Sequence, residues 1–138
     1  MSRNTAILLV TCPDQRGLVA AVAEFLYRHG ANILHADQHV DIAAGLFFMR
    51  VEWALAGFDM PLADFMVGRG YIGRGVPLLK HIAALPGQEV CRTGNAVTVD
   101  AVPFGDALDH DRRGRPLPVW QGCRRIANGE IFLMNPSV

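Results

Sequence analysis

The sequence predicts an α+β fold, a βαββ unit followed by a mainly β segment, and three observations point there. Ala6–Val40, AILLVTCPDQRGLVAAVAEFLYRHGANILHADQHV, reads as strand, turn, helix and strand with a boundary signal at each step. Leu46–Leu55 alternates as a half-buried strand does, and with Ile33–Val40 and the Asp41–Gly45 turn it reads as a β-hairpin. Further on, the strand candidates Val97–Val102 and Ile131–Met134 are short, and Thr93–Gly94–Asn95 supplies a turn pairing Val90–Arg92 with Val97–Val99.

Taken in order, Ala6–Val10 has the length and aliphatic content of a buried strand, ended by Cys12–Pro13–Asp14. Asp14 is placed to cap a helix whose apolar positions Leu18, Val19, Val22, Phe25 and Leu26 recur at three- and four-residue spacing. Gly30 closes that helix, because glycine enters the left-handed conformation of a helix end without steric penalty. Phe47, Met49, Val51, Trp53 and Leu55 fall on one strand face, which is expected to pack on the helix, and Arg50 and Glu52 on the other. His35, Asp37 and His39 also share a face, but three ligands on a flat strand lack a fourth, so no metal site is expected.

The region from Gly57 to Gly75 is rich in glycine and loses the alternation; Pro61 stands at the start of one short helix candidate, Leu62–Val67. Its Gly-x-Gly clusters lack the Gly-Lys-Ser/Thr of a phosphate loop and the dinucleotide pattern. Pro77–Leu85 fits two patterns. As a strand it places Leu78, Lys80, Ile82 and Ala84 on one face, where apolar neighbours would push the Lys80 amine towards neutrality. As a helix it has Pro77 at its start and Leu78, Leu79, Ile82 and Leu85 as its stripe, leaving Lys80 and His81 solvated.

In 138 residues, thirteen basic side chains balance thirteen acidic ones, which leaves no overall field to attract nucleic acid or an anionic membrane. Arg112, Arg113, Arg115, Arg124 and Arg125 cluster, but Asp106, Asp109 and Asp111 offset them, so a solvated loop is expected. Cys12, Cys91 and Cys123 are an odd number without C-x-x-C spacing; reduced thiols in a cytoplasmic setting are expected, with neither disulfide nor zinc. No apolar run reaches the roughly 18–20 residues of a spanning helix. No motif calls for a cofactor.

CPDQRGLVAAVAEFLYRHGANILHADQH, with its Pro13–Asp14 turn, Gly17, the HGANI of His29–Ile33 and the HADQH of His35–His39, resembles the opening of formyltetrahydrofolate deformylase. The likeness runs from about Ala6 to Met60 and implies an ACT domain, a ferredoxin-like βαββαβ ligand-binding module. Arg16 stands where that family has Pro. From about Phe65 to Val138, LLKHIAALPG at Leu78–Gly87 and GEIFLMNP at Gly129–Pro136 resemble a TraF-type signal peptidase of the S26 serine–lysine class. By its place in the motif, Lys80 is then the general base. The S26 serine belongs to a Ser-Met motif upstream of that lysine, whereas Ser2 and Ser137 are the only serines here. Cys91 and Cys123 are read as small buried hydrophobes rather than as substitute nucleophiles. Neither His81 nor His110 sits in a setting like the deformylase Asn, His and Asp.

The expected organisation is therefore an ACT-like unit at residues 1–60, a Gly-rich seam at 61–75 and an S26-like segment at 76–138. The second helix and fourth strand of the ACT-like unit would come from Leu62–Val67 or Pro77–Leu85 and from Val97–Val102. Without such a cover the exposed sheet implies a homodimer. The resemblances imply a fusion-like chain, not catalytically competent, whose ACT-like half binds a small anionic or amino-acid-like ligand or self-associates. Asp14, Arg16, Gly17 and Asn32 are the candidate ligand-binding residues, since N–H groups at the start of the helix suit a carboxylate. The alternatives are an S26 processing-peptidase remnant using Lys80, a deformylase fragment without its catalytic domain, and an inert fusion; whether the chain is an enzyme stays open.

Overall fold

The computed structural model describes residues 4–59, 77–117 and 119–134; the helix candidate Leu62–Val67 and both serines lie outside them. Strand β1 (Thr5–Pro13), helix α1 (Leu18–Arg28), strand β2 (Asn32–Asp41) and strand β3 (Leu46–Ala54) form the expected βαββ unit. Antiparallel β1 and β3 pair from Thr5↔Ala54 to Pro13↔Leu46, and β2 pairs along the other side of β3. The two-residue period sends Leu8, Val10 and Cys12 of β1 and Phe47, Met49, Val51 and Trp53 of β3 to the face that α1 covers with Leu18, Val22, Phe25 and Leu26. Full burial of each large apolar side chain contributes about 1.5–3 kcal/mol, so this cluster holds the unit together.

The sheet order is β2-β3-β1-β4, and the fourth strand is β4 (Pro77–Lys80), parallel to β1 from Ile7↔Pro77 to Val10↔Lys80. This corrects two expectations. Pro77–Leu85 is not a helix but β4 and then β5 (Ile82–Ala84), and Val97–Val102 does not supply the fourth strand. The free edge of β1 offers a row of backbone hydrogen-bonding groups that a strand satisfies and a helix does not. The direction is also informative: a second crossover helix would return the chain parallel to β3 and so antiparallel to β1, the reverse of what β4 does.

The rest of the described chain forms a second sheet of order β8-β7-β6-β9, built from β6 (Glu89–Thr93), β7 (Ala96–Val99), β8 (Val102–Asp106) and β9 (Gly122–Arg125). The expected hairpin is present, with Val90↔Val99 and Arg92↔Val97 in register across Gly94–Asn95. The expected strand Val97–Val102 is instead split, because Asp100 and Ala101 turn with φ of 49° and 66°. Asp100 also ties that turn back to β6, its carboxylate accepting from the Glu89 N–H at 2.9 Å. These hydrogen bonds, from the Glu89 backbone first and the Gln88 side chain next, hold the Asp100 carboxyl below its ordinary range.

A second cluster, Ala84, Val90, Val97 and Ile126, lies under this sheet with Trp120 and Phe132 against it. β5 pairs with β10 (Phe132–Leu133), within the expected 131–134 segment, and joins the two cores: Ile82, Leu85, Ile131 and Leu133 pack on the first. Arg28 of α1 also lies across Gly129, filling the space a side chain there would need. The expectation of three reduced thiols is overturned, since Cys91 and Cys123 form a disulfide and Cys12 alone is free. Register explains it: these cysteines, 32 residues apart, stand directly opposite each other once β9 pairs with β6. Among the described residues no helix is long and apolar enough to cross a membrane.

Candidate functional site

The turn after β1 brings Asp14, Arg16 and Gly17 together, all exposed. Asp14 does not cap α1: Gly17 takes that position with φ of 87°, and no side chain hydrogen-bonds the first turn. A glycine in the left-handed region directs the chain straight into the helix three residues after Asp14, which is instead tied through its N–H to the Gly45 carbonyl at 2.9 Å. The fourth candidate, Asn32, is not part of this cluster. It opens β2 opposite Ala54, which pairs with Thr5, while Pro13 ends β1 at the other end of the sheet, about 25 Å away at the rise of an extended strand.

Lys80 ends β4 opposite Val10 and shares the face of the first core. Its amine is half-buried, and desolvation lowers its pKa from the ordinary 10.5. Cys12, two residues along the same face of β1, is buried, and burial pushes its thiol up although the Ile82 backbone hydrogen-bonds to it. A thiol kept protonated is a poor nucleophile, so Cys12 packs rather than reacts. Cys91 and Cys123 are joined in the disulfide, so neither is a free thiol. Lys80 is thus a half-buried amine on the core face, with no free thiol but the buried Cys12 among the described residues.

On the opposite sheet face Thr5 and Ile7 are buried, while Phe48, Leu79 and the residues of β2 before Asp41 are exposed. Register puts His35, Asp37 and His39 of β2 beside Glu52, Arg50 and Phe48 of β3, so the H-x-D-x-H residues share this face as expected. His35 pairs with Asp37 at 3.6 Å and His39 stacks on Phe48 with ring centroids 6.4 Å apart. Arg50 reaches Glu52 at 3.3 Å, and Glu52 also accepts from the buried Thr5 hydroxyl at 2.9 Å. Between them runs a groove of about 470 Å³ floored by Leu9, Thr11, Phe48 and Leu79 and walled by Asp37, His39 and Arg50. Phe48 and Leu79 are 40% and 53% exposed, and every residue of β2 before Asp41 is exposed. Sequence reasoning missed Leu79 here, because it assigned that residue to a helix stripe or left it unplaced on the strand.

The basic cluster is a solvated surface with local pairing: Arg115 bonds Asp111 at 2.7 Å, Arg124 pairs with Glu130, and Arg125 donates to the Gly87 carbonyl at 2.6 Å.

The first part of the chain is similar to formyltetrahydrofolate deformylases. That of Synechocystis sp. is 57% identical over 66 residues, which is 48% of this chain and 23% of the relative. That of Bacillus subtilis is 53% identical over 51 residues, 36% of this chain and 17% of the relative. The chain therefore spans about a quarter or less of the length of these curated relatives. A solved formyltetrahydrofolate deformylase from Pseudomonas syringae pv. tomato is 35% identical, with a TM-score of 0.39 over 45% of this chain and 20% of that one. The sequence model of the family signal peptidase, peptidase S26, matches residues 19–138, and by that match over most of its length the chain belongs to the S26 signal peptidase family.

Proposed function

We propose that the chain works as a self-associating, small-molecule-binding module, in which an ACT-like βαββ unit is completed along β1 by an S26-type β segment. The observation that carries the reading is the face with the apolar groove, where Phe48 and Leu79 are exposed beside edge strand β2, itself exposed at every residue before Asp41. A sheet with one uncovered apolar face is stabilised by burying it, and the partner with the matching surface is a second copy. The ligand of this reading is a small anion such as an amino-acid carboxylate, held at Asp14, Arg16 and Gly17. Asn32 joins the site only from another copy, since its own sheet holds it away.

Sedimentation equilibrium should give a dimer for the unaltered chain, and Phe48→Glu should shift it to monomer by at least tenfold in dissociation constant. A monomer at micromolar concentration in the unaltered chain would exclude the self-associating half of the reading. For the ligand, a thermal-shift series across amino acids and folate-related carboxylates should show one saturable, stereoselective response. No response anywhere in the series counts against binding.

A second reading, an S26 processing peptidase with Lys80 as general base, is favoured by the half-buried amine with its lowered pKa. It predicts peptide cleavage that Lys80→Met abolishes, and a purified chain that cleaves nothing would end it. The TraF likeness belongs to this reading, whereas the lack of a Ser-Met motif upstream of Lys80 argues against it. A deformylase fragment without its catalytic domain is the third, supported by the similarity of the first 66-residue match.

Lys80 also predicts a pH effect that holds under any of these readings. Its folded-state pKa lies below the unfolded value, so the unfolded chain binds more protons and charging the amine opposes folding. That penalty is fully present below the folded pKa and is relieved as pH rises through it towards 10.5. Unfolding measured against Lys80→Met should show the unaltered chain gaining on the variant with rising pH; a constant difference would mean the amine is fully solvated.

A further inference from the structure

We infer that the Cys91–Cys123 bond is an exchangeable latch that closes β9 and Trp120 over the second core, and that a dithiol reductant opens it. β9 is the edge of its sheet, paired on one side with β6, and all four of its residues are exposed. Before it the chain makes a long excursion from Ala107, where the described residues form one isolated bridge, His110↔Pro116. That excursion returns at Trp120 and Gln121. The Gln121 amide clamps Gly94 on the β6–β7 turn, accepting from its N–H and donating to its carbonyl, each at 3.0 Å. The Trp120 ring meets Phe132 edge-on at 6.1 Å and lies 5.9 Å from the Arg92 guanidinium.

A second cavity of about 410 Å³ lies against this strap, lined by Val90, Trp120, Cys123, Ile126 and Phe132 among others. Cys123 thus borders this space, while strand alternation places the sulfur bridge on the face of β6 and β9 opposite Val90. The Gln121 clamp, the Trp120 ring contacts and one edge ladder hold the strap non-covalently, and the sulfur bridge ties it covalently to β6.

The two sulfurs are not equivalent. Cys123 is exposed and Cys91 half-buried, so an attacking thiolate reaches Cys123. The carboxylate of Glu89 lies 3.7 Å from the Cys91 sulfur, and a negative charge there disfavours the thiolate that must leave. The exchange balances as follows. A thiolate of the reductant bonds to the Cys123 sulfur, the Cys91–Cys123 bond breaks, and Cys91 leaves with the electron pair and takes a proton from solvent. The second thiolate of the reductant then displaces the Cys123 sulfur, which is protonated in turn. Two electrons pass to the cysteines, and the reductant departs as its own disulfide. Glu89 slows attack by any thiolate, and a dithiol still completes the exchange because its second sulfur displaces Cys123 intramolecularly.

The test uses the full chain. In denaturant, thiol titration should find Cys12 alone before treatment and all three cysteines after dithiothreitol. On native protein, reduction should shift tryptophan emission to the red and raise binding of an apolar fluorescent dye several-fold, both reversed by reoxidation. Cys91→Ser/Cys123→Ser should match the reduced state, Trp120→Phe should abolish the emission change, and Glu89→Gln should speed reduction about threefold or more. If the double variant does not fold, reduced unaltered protein gives the same readouts. Three reactive thiols before reduction, or unchanged emission and dye binding after it, would overturn the latch.

Discussion

Gly30→Ala should destabilise the fold by about 2–4 kcal/mol, seen as a lower urea midpoint at unchanged slope. Gly30 has φ of 74° and forms the end of α1: its N–H donates to the Tyr27 carbonyl at 3.1 Å, and the Ala31 N–H reaches back to Leu26 at 2.9 Å. That pair of bonds is the Schellman closure, which needs a left-handed residue at this position. An added methyl group would also fall far inside contact distance of the Gly57 carbonyl oxygen, a backbone atom that cannot swing aside. Left-handed strain alone accounts for about 1 kcal/mol, and the collision supplies the rest. A loss below about 1 kcal/mol would show that the Gly57 segment moves freely.

Arg92→Ala should be comparably damaging, about 3 kcal/mol, and should also loosen Trp120. Arg92 is only 2% exposed, rare for a guanidinium. Burial is tolerated because the fork is used: Nε donates to the Gly94 carbonyl at 2.8 Å, and the terminal nitrogen to Asn95 Oδ1 at 3.2 Å and the Ala107 carbonyl at 3.1 Å. Truncation leaves the Ala107 carbonyl without this donor, opens a cavity and removes the cation facing Trp120. Arg92→Lys should recover less than half of the loss, because a single ammonium cannot reach the same three acceptors in a plane. Urea unfolding together with tryptophan emission checks both parts.

These two sites show where the sequence was readable. The Gly30 helix end was legible because its cause is local, a glycine after the last residue of an apolar period. The faces of β1 and β3 were legible for the same kind of reason, since strand alternation is written into neighbouring residues. The Gly94–Asn95 hairpin followed from turn chemistry. Arg92 was not singled out, because its acceptors lie on a turn and on an excursion that alternation does not reveal.

Pro77–Leu85 could not be decided from its own residues. Leu78, Leu79, Ile82 and Leu85 suit a helix stripe as well as two short strands, and the open edge of β1, some seventy positions earlier in register, decides between them. The disulfide was hidden for a related reason: only the β6–β9 register brings its cysteines opposite. The candidate site divides the same way. Asp14, Arg16 and Gly17 are close because they are sequential, whereas Asn32 was grouped with them without regard to which end of a ten-residue strand it occupies.

The parallel seating of β4 has a consequence for the order in which the chain is made. β1 precedes both of its neighbours in the chain, and β3 can cover one of its edges once Ala54 has emerged. Its other edge, along Ile7–Val10, has no partner until Lys80 has emerged. Throughout that interval a young chain carries an unpaired apolar strand, the kind of edge that recruits a strand from a neighbouring chain. A nascent chain stalled between residues 60 and 76 should therefore be far more prone to strand-mediated aggregation than one that has passed Lys80.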